Sequence, residues 1–236
     1  MGESRIKTFI FPIVFVLMLI CPVFGNQYIN NAVPYAQINW RCNTPNTDIE
    51  FDFRAGVVYP GEAYWLSGND SIDVFRDKIS NGYVPGGYEL NAANRAGIDC
   101  SAFVSRAWGI SRHGTSTLSN VSRLITRSQL QAGDILNWAN TPGHVYLFSS
   151  FDSDPNYINV YHAKGTPGSN PNEPVNSPAR GKMVMPERIP WPPSHYLPRR
   201  RGLTAPVSCN ISNEATWVSR RPTIVVQFNG ELQAST

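Results

Sequence analysis

Cys100 stands between Asp99 and Ser101, at the head of the apolar segment Ala102-Phe103-Val104-Ser105-Arg106-Ala107-Trp108. A cysteine does chemistry as its thiolate, and the first residue of a helix is a place where the positive end of the backbone dipole favours that anion. Asp99 is a good N-cap, because its carboxylate can accept an unsatisfied N–H of the first turn. Phe103, Val104, Ala107 and Trp108 recur at a spacing that suits a short buried helix closed by Gly109. The same Asp99 opposes a thiolate, since a neighbouring carboxylate disfavours a second anion unless it is occupied in capping. From this segment alone two readings stand: a nucleophile, or a small core residue, which is a common role for a free cysteine.

A cysteine nucleophile needs a base, and the chain has four histidines. His144 opens the strand-like run His144-Val145-Tyr146-Leu147-Phe148, and His162 lies near the end of another, Tyr157 to Ala163. Between them Asp152-Ser153-Asp154-Pro155 is a strong turn signal. An antiparallel hairpin centred near Ser153 sets His144 opposite His162, on one face at its open end. A thiol with two adjacent imidazoles supplies a nucleophile, a base and a group to orient the base. His113 and His195 lie in loop-like sequence and are given no role.

The elements that must position these groups are readable in part. Residues 26–55 are polar and turn-rich, with Ile49 to Phe53 alternating like a short strand, and packing is their expected role. Asp70 or Ser71 can cap a helix with Ile72, Phe75 and Ile79 on one face. Ser116 to Gln129 reads as a second helix, Ile135 to Trp138 as a strand, and Lys182 to Met185 as another. Residues 203–236 read as a β extension whose clearest strand is Thr223 to Gln227.

Arg5 and Lys7 precede the apolar run Phe9 to Ile20, and Val23-Phe24-Gly25 ends in a small residue, the layout of a secretory signal peptide over residues 1–25. The expected location is therefore secreted or periplasmic, with no membrane contact once the signal is removed; an uncleaved anchor is the alternative. Export removes Cys21 and leaves Cys42, Cys100 and Cys209 in an oxidising compartment. Cys42 and Cys209 lie in the two flanks and are expected to pair, leaving Cys100 free, which favours chemistry at Cys100. A net charge of +3 over 236 residues, with one three-arginine run at Arg199 to Arg201, gives no ground for a nucleic-acid partner. Cys100, His144 and His162 could formally hold zinc, but no close ligand pair such as Cys-x-x-Cys accompanies them, so no metal or other cofactor is expected.

Asp99-Cys100-Ser101-Ala102-Phe103-Val104 resembles the Asp-Cys-Ser-Gly-Phe-Val signature of NlpC-type cell-wall cysteine peptidases. Leu130 to Ile135 is similar to their Leu-x-Pro-Gly-Asp segment, Gly143-His144-Val145 to their Gly-His-Val, and Tyr161-His162-Ala163 to their Ile-His-Ala. The departures are Ala102 for glycine, Ala132 for proline, and about twenty inserted residues between Gly68 and Gly97.

The resemblance covers residues 56–202 and implies a papain-like α+β domain, its Cys100 helix packed on an antiparallel sheet. It implies Cys100 as nucleophile, His144 as base and His162 as orienter. Tyr64, in Tyr64-Trp65-Leu66-Ser67-Gly68, resembles the active-site tyrosine by local motif, whereas Tyr88 matches its spacing from the cysteine; Tyr64 is preferred because residues 71–79 read as an inserted element. The backbone N–H of Cys100 and the Tyr64 hydroxyl are candidates for stabilising an oxyanion, while Asp99, Ser101 and Tyr88 shape the site. The implied partner is the peptidoglycan stem peptide, often cut between D-glutamate and a diamino acid. The alternatives are a related papain-like amidase or acyltransferase acting on another substrate, and a non-catalytic wall-binding protein on the same fold.

Overall fold

The computed structural model describes residues 24–48, 51–90, 92–165 and 182–202. Helix α1 spans Phe24–Gln37, followed by β1 (Asn39–Arg41), β2 (Val58–Pro60), α2 (Ile72–Ser80), β3 (Val84–Pro85), β4 (Arg95–Ala96) and α3 (Cys100–Ala107). Six strands follow, with two short 3-10 turns around the first: β5 (Ser122–Leu124), β6 (Ile135–Trp138), β7 (His144–Phe151), β8 (Tyr157–Ala163), β9 (Val184–Pro190) and β10 (Leu197–Arg201). The architecture is α+β, with a six-stranded sheet in the order β5-β10-β6-β7-β8-β9, antiparallel at every pairing.

The sheet buries apolar side chains on both faces. Along β7, Val145 and Leu147 point one way while Tyr146 and Phe148 point the other, as the two-residue strand period requires. The first side joins Ile135, α3 and α1 in the main core. The second builds a smaller cluster of Leu136, Phe148, Ile158, Val160 and Ile189. His144 and His162 have the parity of this second side, opposite the face on which α3 packs. The sulfur of α3 can therefore reach them only at the end of the sheet.

The β7–β8 hairpin forms, with a different register from the one expected. Leu147 pairs with Tyr161 and Phe148 with Val160, and a bulge follows before Ser150 pairs with Asn159. Carried down the ladder, this sets His162 beside Tyr146, two residues from the predicted partner His144. A slip of two leaves every side chain on its face, whereas a slip of one would have turned an imidazole away. The two histidines are diagonal neighbours, and long side chains span that separation.

The N-terminal flank packs, as expected, but as a helix rather than as turns. Tyr28, Ala32 and Tyr35 of α1 fall on one face, and the Tyr35 and Phe103 rings meet edge to face at 5.9 Å. Trp40 is ringed by Phe53, Tyr59 and Phe75 at 5.2–5.3 Å, so the flank shares the core of the domain it precedes. The strand expected near Phe53 is a turn: Asp52 has a φ of 37°, and Phe53 makes one bridge, to Asn46. Residues 1–23 of the expected signal peptide lie outside the described residues, as do Cys209 and the 203–236 extension. Among the described residues Cys42 has no disulfide partner, and its buried sulfur donates to the Thr44 carbonyl at 3.2 Å.

Helix α2 forms as its spacing predicts, with Ser71 as the cap accepting the Val74 N–H. The helix expected over Ser116 to Gln129 does not form. Short 3-10 turns at Leu118–Val121 and Arg127–Gln129 flank β5 instead. Strand β10 recruits this segment: Arg199 pairs with Leu124 in register, and its guanidinium donates to the Ser122 hydroxyl at 2.9 Å and carbonyl at 3.0 Å. Arg200 holds Asp134 at 2.8 Å, and Arg201 donates to the Tyr28 hydroxyl at 2.8 Å. The three-arginine run is a set of clamps, not a solvated charge patch.

Candidate active site

Cys100 is the first residue of α3, and Asp99 caps it from an extended conformation. Both functions expected of Asp99 meet at one carboxylate. Its Oδ1 accepts the Ala102 N–H at 2.7 Å and the Ser101 hydroxyl at 2.8 Å, while Arg112 pairs with Oδ2. Asp99 and Ser101 are each 5% exposed, so they shape the site from below and do not form its wall. The main strain on a Cys100 thiolate is burial, with Asp99 second; together they push the thiol up to about 12. The backbone N–H groups of Val145, Ser101 and Cys100 itself oppose this. The Val145 contact brings the sulfur to the strand one residue after His144.

Gly143 delivers His144 to the head of β7 through a φ of 64°, and a Cβ there would lie 2.7 Å from the Thr115 hydroxyl. His144 Nε2 lies 2.9 Å from His162 Nδ1, and His162 Nε2 lies 2.7 Å from Glu187 Oε2. Lys164 Nζ donates to both Glu187 oxygens, at 2.8 and 2.9 Å. Burial, then the neighbouring His162 and Lys164, pushes His144 well below its ordinary 6.5. Burial also lowers His162, with Glu187 opposing. Burial pulls Glu187 upward, but the hydrogen bonds from His162 and Lys164 outweigh it and hold the carboxyl at about 2. The resting groups are therefore a thiol, two neutral imidazoles and a carboxylate.

His144 and His162 open onto a cleft of 360 Å³ whose walls include Tyr64, Tyr88, Trp138, Tyr146 and Tyr196. Tyr64 reaches it by a parallel bridge to Ile98, two residues before the cysteine. Burial first, then Cys100 and Asp99, raises its phenol above 10.0, so it stays a protonated donor. Tyr88 stands behind it with ring centroids 6.2 Å apart, and its hydroxyl donates to the Gly165 carbonyl. Gly165 lies against the Tyr64 ring so closely that a Cβ there would fall 2.4 Å from Cε1. Both tyrosines line the cleft, and the Gly165 segment packs against the Tyr64 ring and accepts from the Tyr88 hydroxyl.

Cys100, 7% exposed, is not itself a lining residue, but its charge would act on the cleft residues Tyr64, Tyr146 and Tyr196. Among the described residues no hydrogen bond joins its thiol to His144, whose Nε2 is committed to His162 and whose Nδ1 is open. His113 and His195 lie outside the cleft walls, His195 packing its ring against that of the lining residue Trp138, tilted by 52° at 4.6 Å. Glu187 has no signal in the sequence, because its position depends on the pairing of β9 with β8, which sets Val160 against Glu187 and His162 against Met185. Among the described residues no three His, Cys, Asp or Glu side chains are arranged to hold a metal ion.

Fold and site together define an α+β protein with a helix-start cysteine and a hydrogen-bonded His144–His162–Glu187 chain on its sheet. No model of a known protein family matches the chain, and no curated protein matches it.

Proposed function

We propose that this chain is an exported, papain-like thiol hydrolase of the NlpC type that cleaves an amide bond in peptidoglycan stem peptides. The observation that carries this reading is the 2.9 Å His144–His162 contact at the strand end where Cys100 begins its helix. As Cys100 Sγ attacks the carbonyl carbon, its proton passes to His144 Nδ1. The oxyanion meets the Cys100 N–H and the Tyr64 hydroxyl. Collapse expels the amine, which takes the proton from His144, and water then hydrolyses the thioester with His144 again as base. The expected product of digesting purified sacculi is a new amine terminus on the diamino acid, detected by mass spectrometry. Intact stem peptides after prolonged digestion would reject this substrate.

The resting charge states set a pH profile. The base must be neutral, and a lowered His144 remains neutral to a pH below 6.5. The thiol, at about 12, sets no alkaline limb near neutrality. The expected kcat/KM is flat from about pH 6.5 to 9, with an acid limb below the ordinary imidazole value. An acid limb above 6.5 would show an imidazole stabilised as a cation, contrary to its burial.

A second reading, hydrolysis or transfer of an uncharged acyl group, is favoured by the cleft wall. Among the described residues Lys164 is the lone cation lining it, and Glu187 neutralises that charge. Comparing muropeptides with acyl esters of matched size separates the two.

A further inference from the structure

A neutral imidazole carries one N–H and one lone pair, and two neutral rings in contact need one donor and one acceptor. The 2.9 Å contact between His144 Nε2 and His162 Nδ1 is satisfied either way round. In one arrangement His144 donates from Nε2 and keeps a lone pair at Nδ1. In the other it accepts at Nε2 and carries a proton at Nδ1, where it cannot take one from a thiol. The contact between the rings is indifferent to which holds, yet the chemistry is not.

We propose that Glu187 is a positioning residue that makes this choice for both histidines. The proposal rests on the reading of His144 as the base for Cys100. An ionised carboxylate only accepts. Glu187 Oε2, 2.7 Å from His162 Nε2, therefore requires the proton of His162 to sit on Nε2. His162 Nδ1 is then a lone pair, His144 Nε2 must donate to it, and His144 Nδ1 is left free to accept. Every step follows from the one before once the end of the relay is anionic.

Two further features support that anchor. Lys164 donates to both Glu187 oxygens, at 2.8 and 2.9 Å, which holds the carboxylate in its charged form. The His162 side chain is only 2% exposed, so bulk water has little access to replace Glu187 as a partner. A carboxylate in the same relation to a histidine orients the base in other nucleophile–histidine sites. Here an additional imidazole lies between, so the carboxylate acts through two rings.

The test is made on the full mature chain, uniformly labelled with nitrogen-15, by recording long-range proton–nitrogen spectra of the imidazoles. In the wild type both His144 and His162 are expected to be protonated at Nε2 and bare at Nδ1. Glu187→Ala is expected to give mixed tautomers at both rings. Alkylation of Cys100 by iodoacetamide at neutral pH should fall by about tenfold to a hundredfold, by analogy with the loss of an outer-shell partner of a metal-bound histidine.

Because Glu187→Ala leaves a half-buried Lys164 without its carboxylate partner, Lys164→Met/Glu187→Ala is made alongside it and should show the same mixture. Lys164→Met alone should keep the wild-type tautomers. Glu187→Gln, whose amide oxygen can still accept from His162, should recover most of the alkylation rate lost in Glu187→Ala. If Glu187→Ala does not fold, the double variant and Glu187→Gln carry the test.

Wild-type tautomers persisting in the double variant would overturn the proposal, as would a wild-type His162 protonated at Nδ1. Neither readout uses a substrate, so failure to cleave muropeptides would sink the peptidoglycan reading while leaving this one to the spectra. Cleavage with tautomers indifferent to position 187 would do the reverse.

Discussion

Cys100→Ser is expected to lower kcat/KM on a defined muropeptide by on the order of 10⁴-fold or more, the loss found when the nucleophile of a nucleophile–histidine unit is removed. A hydroxyl is far harder to deprotonate than a thiol already at about 12, and burial that disfavours the thiolate disfavours an alkoxide more strongly. The fold should not change. Asp99 caps α3 through the Ala102 N–H and the Ser101 hydroxyl, neither of which involves the sulfur. The loss should therefore appear in kcat with little change in KM, because cleft walls such as Tyr64 and Trp138 stay in place. Stopped-flow turnover and a thermal melt are the measurements. Wild-type turnover by Cys100→Ser would reject Cys100 as the nucleophile, whereas no turnover by the wild type itself would favour the non-catalytic wall-binding alternative.

Trp108→Ala is expected to destabilise the protein by about 3–5 kcal/mol, the range for deleting a fully buried large aromatic. Trp108 is 1% exposed, packs against Tyr28 of α1 at 6.4 Å, and donates its indole N–H to the Gly133 carbonyl at 2.8 Å. The substitution leaves a cavity between helix and sheet and an acceptor without its donor. For a domain stable by about 5–15 kcal/mol this is a large share. It would also disturb the site, since α3 has eight residues and Trp108 caps the end opposite Cys100. Urea unfolding should show a lower midpoint with a similar slope, and Trp108→Phe should restore part of the loss. A change below about 1 kcal/mol would mean that α3 is held chiefly elsewhere.

Several parts of this arrangement are local enough to be read from residue order. The cap at Asp99, the helix behind it and the helix Ile72–Ser80 depend on spacing and on side-chain-to-backbone bonds within one turn. Strand β6 spans Ile135–Trp138 as expected, because its signals are contiguous. The pairing of the two histidines survived an error of two residues in register, since face depends only on parity. Non-local pairings were not readable. Leu118, Val121, Leu124 and Ile125 have a helix-like spacing, yet β10 arrives from seventy-five residues away in sequence and turns Leu124 into strand. Periodicity within one segment does not show what the rest of the chain will offer it.

The division follows the range of the forces. Residue order alone settled a capped cysteine helix and two imidazoles on one strand face, because those features are decided by dihedral preference and by a period of two. Only the folded chain placed Glu187 and Lys164 behind the histidines, raised the thiol to about 12 and supplied the aromatic cleft. Burial and charge pairing at a site are properties of everything packed around it, and here they come from strands, loops and a helix far apart in the chain.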